Sequence, residues 1–330
     1  MSLYNLLLDF NFGDDKNPWS LNYEITENSI RIDKVDYYLR YVNPSATTKR
    51  KNKGGNSIVF FLYEAQNYNQ QSIPNKVIKI AEYADFKSRR GIEIQNILFA
   101  NEVKALNLCK EKTYSNVIKI YETGYIRNSK KLSNLYFPFY IMEYADSDLK
   151  NYLEDNQLSI DEKISLCIEI SYGLKQLKNI EVYHRDLKPD NILFVNDEWK
   201  IGDLGLAQFR DEEFVEDTSK IIGPRGWLSP EAMNKYLTNN TENINNFDCK
   251  IDHQSDIFQL GKVFWYIVQG NAPIGCVRTI DFKEKDIEIY ALLRTMLNHS
   301  KKKRYKHIDE IIAILKRINT KLLKQTTIEV

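Results

Sequence analysis

The stretch Tyr183-His184-Arg185-Asp186-Leu187-Lys188-Pro189-Asp190-Asn191 brings a carboxylate, an amine and an amide together at short, fixed spacings. Seventeen positions beyond Asp186 comes Asp203-Leu204-Gly205. These residue types suit transfer of a phosphoryl group to a hydroxyl, a reaction that asks a protein for positioning and charge rather than covalent chemistry. Asp186 is placed to orient the hydroxyl and accept its proton. Lys188, two residues on, can meet the moving phosphate as a point charge. Asn191 and Asp203 are hard oxygen donors suited to Mg2+, which takes few protein ligands and shares the phosphates.

Upstream of this stretch, from about 33 to 145, β-branched and aromatic runs alternate with polar turns. Ser57 to Tyr63, Val77 to Ile80 and Phe137 to Met142 read as strands. One helix interrupts them, from about Glu93 to Cys109, and places Leu98, Glu102 and Leu106 on one face. A glutamate in an apolar stripe is costly to bury alone. Glu102 therefore either lies at the edge of the stripe or points inward to a cation. Residues 1–32 read as a polar, irregular extension.

Downstream, from about 148, helices dominate. Ser159-Ile160-Asp161-Glu162 is a capping box, and the helix it opens carries Ile164, Ile168, Ser171, Leu174 and Leu177 on one face. Asp256 to Gln269 is apolar nearly all round, as in a helix buried at the centre of a domain. Ile308, Ile311, Leu315, Ile318 and Leu322 mark a last amphipathic helix. Polar segments at 65–75 and 234–252 read as surface loops. A strand-rich part followed by a helix-rich part is an α+β arrangement.

The eight residues His184 to Asn191, with Asp203-Leu204-Gly205, resemble the eukaryotic-type protein kinase family, Ser/Thr branch. The resemblance covers about residues 35–320 and implies a two-lobed fold. A small antiparallel sheet with one key helix would form the N-lobe, about 33–145. A mainly helical C-lobe would follow, about 146–325. It implies ATP and Mg2+ as cofactors, with Asp186 and Lys188 catalytic and Asn191 and Asp203 as metal ligands. In Lys76-Val77-Ile78-Lys79, Lys79 matches the lysine that holds the α- and β-phosphates, and Glu102 matches its glutamate partner. Met142-Glu143-Tyr144-Ala145 resembles the hinge, where Met142 gates the adenine pocket and backbone groups of Glu143 and Ala145 bind the base. Val59, Val77 and Leu193 match the residues that sandwich adenine, and Asp148 is the candidate for the ribose. Glu231 of Ser229-Pro230-Glu231 and Arg304 match a buried structural pair. Asp256 matches the aspartate that holds the catalytic-loop backbone. Leu106, Ile120, His184 and Leu204 match a stacked column that links the lobes.

The chain departs from the family pattern at four places, one of them Leu204, which replaces the usual Phe of the magnesium loop. The glycine-rich loop, Asn52 to Val59, keeps Gly54 with Gly55 beside it and has Ser57 in place of the third glycine; phosphate contact is expected there, weakened. Pro224 stands where Ser/Thr kinases carry a threonine that bridges the catalytic Asp and Lys. Between Gly270 and Lys285 the chain is too short for the full helix that docks substrates. Arg185 implies an acceptor for an activation-loop phosphate, with Thr218 and Ser219 as candidate phosphosites. The carboxylates Asp211, Glu212, Glu213, Glu216 and Asp217 could substitute for that phosphate. The expected function is transfer of the ATP γ-phosphate to Ser/Thr of a protein substrate. A nucleotide-binding pseudokinase, a dual-specificity kinase and a small-molecule kinase of related fold are the alternatives. The third lacks the Lys-Pro after its catalytic Asp and the Pro-Glu/Arg pair.

The composition fits this reading. The 330 residues are 43% hydrophobic and carry a formal net charge of +1, which points to neither nucleic acid nor an anionic membrane. Cys109, Cys167, Cys249 and Cys276 lack metal-ligand spacing, and three of them lie in apolar surroundings. Leu6-Leu7-Leu8 is cut off by Asp9 and has no basic lead, so no signal peptide and no membrane insertion are expected. A cytoplasmic location follows as the expectation.

Overall fold

The computed structural model describes residues 3–10, 19–42, 57–81, 89–128, 136–212, 223, 226–238 and 247–328, with backbone alone at 89–91 and 325–328. The chain forms two compact units, one of Met1–Asn107 with Lys119–Tyr144, the other of Leu108–Ile118 with Ala145–Val330. Helix and strand are mixed, as expected.

The first unit is a seven-stranded sheet with α1 (Arg89–Glu111), whose last turn belongs to the second unit. Its strands are β1 (Leu6–Phe10), β2 (Ser29–Ile32), β3 (Val35–Tyr41), β4 (Ser57–Glu64), β5 (Lys76–Ala81), β6 (Ile120–Asn128) and β7 (Tyr136–Glu143). They run in the order β1-β6-β7-β5-β4-β3-β2. All neighbours are antiparallel except β1 and β6. The two ends of the order, β1 and β2, also lie close together, so the sheet curls until it is nearly closed. Side chains alternate across a strand. Ile58, Phe60 and Leu62, Ile78 and Ile80, and Phe139 and Ile141 therefore fill the inside of the curl. The intervening Val77, Lys79, Tyr140 and Met142 are left for the opposite face.

Of residues 1–32, expected to be irregular, the described ones contribute two strands to this sheet. β1 and β2 both come from them, Leu8, Phe10, Ile30 and Ile32 enter the core, and Trp19 is fully buried, stacked on Phe10 at 4.7 Å. The parallel approach of β1 depends on Gly124. A Cβ there would sit 2.1 Å from the carbonyl oxygen of Leu6, well inside contact distance.

The second unit contains β8 (Ser147–Asp148), α2 (Leu149–Asp155), α3 (Ile160–Asn179), β9 (Val182–Tyr183), β10 (Ile192–Val195), β11 (Glu198–Ile201) and β12 (Gln208–Phe209). After them come α4 (Pro230–Thr238), α5 (His253–Gln269), α6 (Ile287–Met296) and α7 (Ile308–Ile328). α3 is the central element and packs on α5, α7 and β11. It opens at the expected cap, where Glu162 Oε2 accepts from the backbone N–H of Ser159 at 2.7 Å. α5 opens on Asp252, which accepts from the N–H of Gln254 at 3.0 Å, and closes on Gly270 at φ +77°. That φ suits glycine because no Cβ meets the following carbonyl.

Residues 234–238, read as loop, continue α4, because Ala232 anchors that helix in an apolar cluster with Leu228 and Ile251. Residues 271–286 hold a 3-10 turn, Thr279–Asp281, and no α-helix. Cys109 and Cys167 are buried, Cys249 is half-buried and Cys276 exposed, so two thiols rather than three are core residues. Burial pushes the Cys109 thiol up to about 12. No helix among the described residues is long and apolar enough to cross a membrane.

Candidate active site

In the first unit, Lys79 and Tyr140 stand directly opposite each other on β5 and β7. Their side chains therefore share a face of the sheet, and Glu102 on α1 meets both. Lys79 Nζ lies 2.8 Å from Glu102 Oε1 and 3.1 Å from Oε2. The Tyr140 hydroxyl donates to Oε1 at 2.8 Å. Glu102 is 1% exposed and Lys79 8%. Glu102 thus points inward to a cation, and its burial is tolerated because two donors satisfy it. At the end of β7, Glu143 accepts from the Lys119 N–H at 2.8 Å, and its own N–H donates to the Lys119 carbonyl at 3.0 Å. Val59 and Met142 are half-buried and Val77 is buried.

In the second unit, the loop between β9 and β10 carries Asp186, Lys188 and Asn191. Asp186 Oδ2 accepts from Lys188 Nζ at 3.1 Å and from Asn191 Nδ2 at 2.8 Å. The Asn191 nitrogen also donates to the Asp186 carbonyl at 2.8 Å. Both partners are acceptors, which identifies that amide atom as the nitrogen and leaves Oδ1 as the acceptor side. Asp203 is exposed, at φ +49°. Asn191 Oδ1 and the Asp203 carboxylate are thus two hard oxygen donors in one unit, a set that fits Mg2+.

Burial raises the Asp186 carboxyl above its ordinary value, and the charge of Asp203 adds to that, while Lys188 pulls it down. A raised carboxyl binds a proton more readily at a given pH.

The loop is held from beneath by α5 and by its own histidine. Asp256 accepts from the N–H of His184 at 2.9 Å and of Arg185 at 2.8 Å. Burial still pushes its carboxyl up to about 7, against the pull of those two N–H groups. His184 Nδ1 accepts from the Asp186 N–H at 3.2 Å, so Nε2 carries the proton and donates to the Gly202 carbonyl at 3.0 Å. Burial lowers the pKa of this imidazole and keeps it neutral.

Arg185 donates from its guanidinium to Gln208 Oε1 at 3.0 Å. Leu204 and His184 are fully buried in this unit, as Leu106 and Ile120 are in the other. Asp148 caps α2, accepting from the Asn151 N–H at 2.9 Å; Ala145 and Leu193 are half-buried. Glu231 meets Arg304 at 3.0 Å, both nearly fully buried, and also accepts from Ser255 Oγ at 3.0 Å. Ser57 begins β4, whereas Gly54, Gly55, Thr218, Ser219 and Pro224 lie outside the described residues.

Tyr140 and Gln259 escaped the sequence reading, as did Gln208 and Ser255. Tyr140 would have been found from strand pairing, once β7 was set against β5 in register. Gln259 donates to the Arg185 carbonyl at 3.1 Å and accepts from the Leu187 N–H at 3.3 Å. The signal for it was a polar residue three positions past Asp256, between the apolar Ile257-Phe258 and Leu260.

The protein kinase domain family model matches residues 53–328. A probable serine/threonine-protein kinase of Clostridium acetobutylicum is 25% identical over 187 residues, covering 56% of this chain and 25% of its own. A calcium/calmodulin-dependent serine/threonine-protein kinase of Malus domestica is 25% identical over 198 residues, 58% of this chain and 42% of its own. A sensor for unfolded proteins in the ER of Schizosaccharomyces pombe is 28% identical over 163 residues, 42% of this chain and 15% of its own. The chain therefore spans less than half the length of each of these relatives.

Proposed function

The chain belongs to the protein kinase domain family, and on that premise we propose that it is an active kinase, transferring the γ-phosphate of ATP to serine or threonine of a protein substrate. The two compact units are its N- and C-lobes. The observation that carries the reading is the buried Asp186 carboxylate, set between Lys188 at 3.1 Å and Asn191 at 2.8 Å. A pseudokinase would have no need to keep Asp186, Lys188, Asn191 and Asp203 together with a formed Lys79–Glu102 pair.

Asp186 orients the acceptor hydroxyl and takes its proton. Lys188, already beside Asp186, places positive charge where the transferred phosphate gains charge, as an active site does by preorganisation. Asn191 and Asp203 would hold Mg2+, which would neutralise charge on the triphosphate. Lys79, fixed by Glu102, holds the α- and β-phosphates. Gly54, Gly55 and Ser57 are the residues of the glycine-rich loop assigned to phosphate contact. Val59, Val77, Met142, Leu193 and the backbone of Glu143 and Ala145 receive adenine, and Asp148 the ribose. Serine/threonine specificity rests on Lys188 and agrees with the names of two of the relatives above.

Phosphate incorporation from Mg·ATP, followed by intact mass and phosphosite mapping, tests the reading with wild type and Asp186→Asn side by side. Phosphate gained by the wild type alone, on serine or threonine, is expected. Incorporation in neither protein, with no rise in melting temperature on adding Mg·ATP, would favour a pseudokinase instead. Phosphotyrosine among the products would favour dual specificity.

A further inference from the structure

The backbone of the Asp186 loop is unusual in how its hydrogen bonds are met. Buried N–H and C=O groups need partners, and a loop has no ladder to supply them. The N–H groups of His184 and Arg185 go to Asp256, and that of Asp186 goes to His184 Nδ1. The Asp186 carbonyl accepts from Asn191. The groups that flank Asp186 are the carbonyl just before it and the N–H just after it. Gln259 takes both, donating Nε2–H to the Arg185 carbonyl at 3.1 Å and accepting from the Leu187 N–H at 3.3 Å.

The grip falls where the chain is least relaxed. Arg185 has φ +71°, a left-handed conformation that residues with a Cβ rarely adopt. Its N–H is held by Asp256 and its carbonyl by Gln259, one turn apart on the same face of α5. Gln259 is 2% exposed. Gly223 leaves room for the clamp. A Cβ on that residue would lie 3.0 Å from the Arg185 oxygen and 3.6 Å from Gln259 Nε2.

We propose that Gln259 is the positioning residue that sets the direction of the Asp186 carboxylate, by gripping the chain on both sides of it. The inference rests on the reading of Asp186 as the base. Gln259 touches no substrate. Asp256 anchors the entry to the loop, and Gln259 fixes the peptides on either side of the base. Without it, the Arg185 peptide can rotate toward a commoner conformation and carry Asp186 with it. Small displacements of a reacting group are expensive in rate.

The test uses the full chain with Mg·ATP and casein, comparing wild type, Asp186→Asn, Gln259→Met and Gln259→Glu. Gln259→Met keeps length and removes both polar atoms. Its kcat should fall roughly ten- to hundredfold, with KM for ATP within about twofold of wild type, the signature of a lost transition-state arrangement. Gln259→Glu gives a readout that packing alone would not move. A protonated carboxyl both donates and accepts, as the amide does, whereas an ionised one can only accept. Its kcat relative to wild type should therefore rise as pH falls from about 8 to about 6. Asp256 on the same helix and Asp186 in the loop favour the protonated form, Arg185 opposes it, and neutral His184 is indifferent.

Gln259→Met with kcat within twofold of an active wild type, or Gln259→Glu with a pH-independent ratio, overturns the inference. If Gln259→Met does not fold, the pH profile of Gln259→Glu decides alone. Asp186→Asn as active as wild type, or a wild type that transfers no phosphate, overturns the base reading itself and takes the inference with it.

Discussion

Tyr140 and Lys79 place their donors on the same oxygen of Glu102, each at 2.8 Å. The Lys79 ammonium also lies 5.8 Å from the centre of the Tyr140 ring. The lysine–glutamate pair is thus a three-membered cluster, and its third member comes from the strand beside the lysine.

Replacing Tyr140 by phenylalanine keeps the ring and removes one hydrogen bond to a buried carboxylate, typically worth about 1.5–3 kcal/mol. Glu102 should then hold Lys79 less firmly. The expected result is a folded protein whose KM for Mg·ATP is raised severalfold, read by steady-state kinetics. An unchanged KM would mean that the pair stands without the phenol.

The Glu231–Arg304 pair should matter for folding rather than turnover. Breaking a buried pair leaves an uncompensated charge and costs about 3–5 kcal/mol. Arg304 also donates to the Asn298 carbonyl at 2.9 Å and sits over the Phe258 ring at 5.0 Å. Arg304→Met should lower the urea midpoint strongly, and Glu231→Gln less so, because its amide can still meet Ser255. Equal, small shifts in both would show that the pair is dispensable.

Gly124→Ala should expel β1. The added Cβ would lie 2.1 Å from Leu6 O and 2.9 Å from Leu6 Cβ. A destabilisation of about 3 kcal/mol, high among ordinary single substitutions, is expected, together with rapid hydrogen exchange across residues 3–10. Deleting those residues should cost far less in the alanine variant than in wild type, since both changes remove one interaction. Additive losses would separate Gly124 from the strand.

Acid should act through His253. Among the described residues neither of its ring nitrogens has a hydrogen-bond partner. Burial, with Lys178 and His307 nearby, lowers its pKa to about 4 from an ordinary 6.5, although Asp252 and Asp309 pull the other way. The folded pKa is depressed, so this stability is present above about 6.5 and lost as pH falls toward about 4. Asp256, raised to about 7 from 3.8, runs oppositely and favours the folded state at the acid end. The difference between wild type and His253→Gln isolates the histidine. The melting temperature of the variant should fall less between pH 6.5 and 4, and parallel curves would refute the assignment.

The sequence disclosed those parts whose logic is local. Asp186, Lys188 and Asn191 lie close in sequence within one loop and do meet through hydrogen bonds. Glu102 in an apolar stripe left two options, the edge of the stripe or an inward cation, of which the structure has the second. Helix ends such as Ser159–Glu162 were readable because a cap spans four residues. What stayed hidden depends on pairing between distant segments. β1 is five residues long and contains Asp9, whose partner Arg127 lies 118 positions away at 2.6 Å. Trp19 finds its place through Phe10 and Phe137, neither of which marks it as core. Tyr140 and Gln259 were concealed for the same reason. Strand register gives the first its role and the loop lying over α5 gives the second its own.

The parallel pairing of β1 with β6 also constrains the order of events during synthesis. Asp9 leaves the ribosome 118 residues before Arg127, an interval of roughly 6 to 24 s at about 5–20 residues per second. Throughout that time Leu8, Phe10 and Trp19 have no closed curl to enter. The nascent segment must be sheltered or stay extended. The small unit cannot complete itself progressively from its beginning; it closes in one late step, when β6 and β7 arrive and the oldest strand is called back.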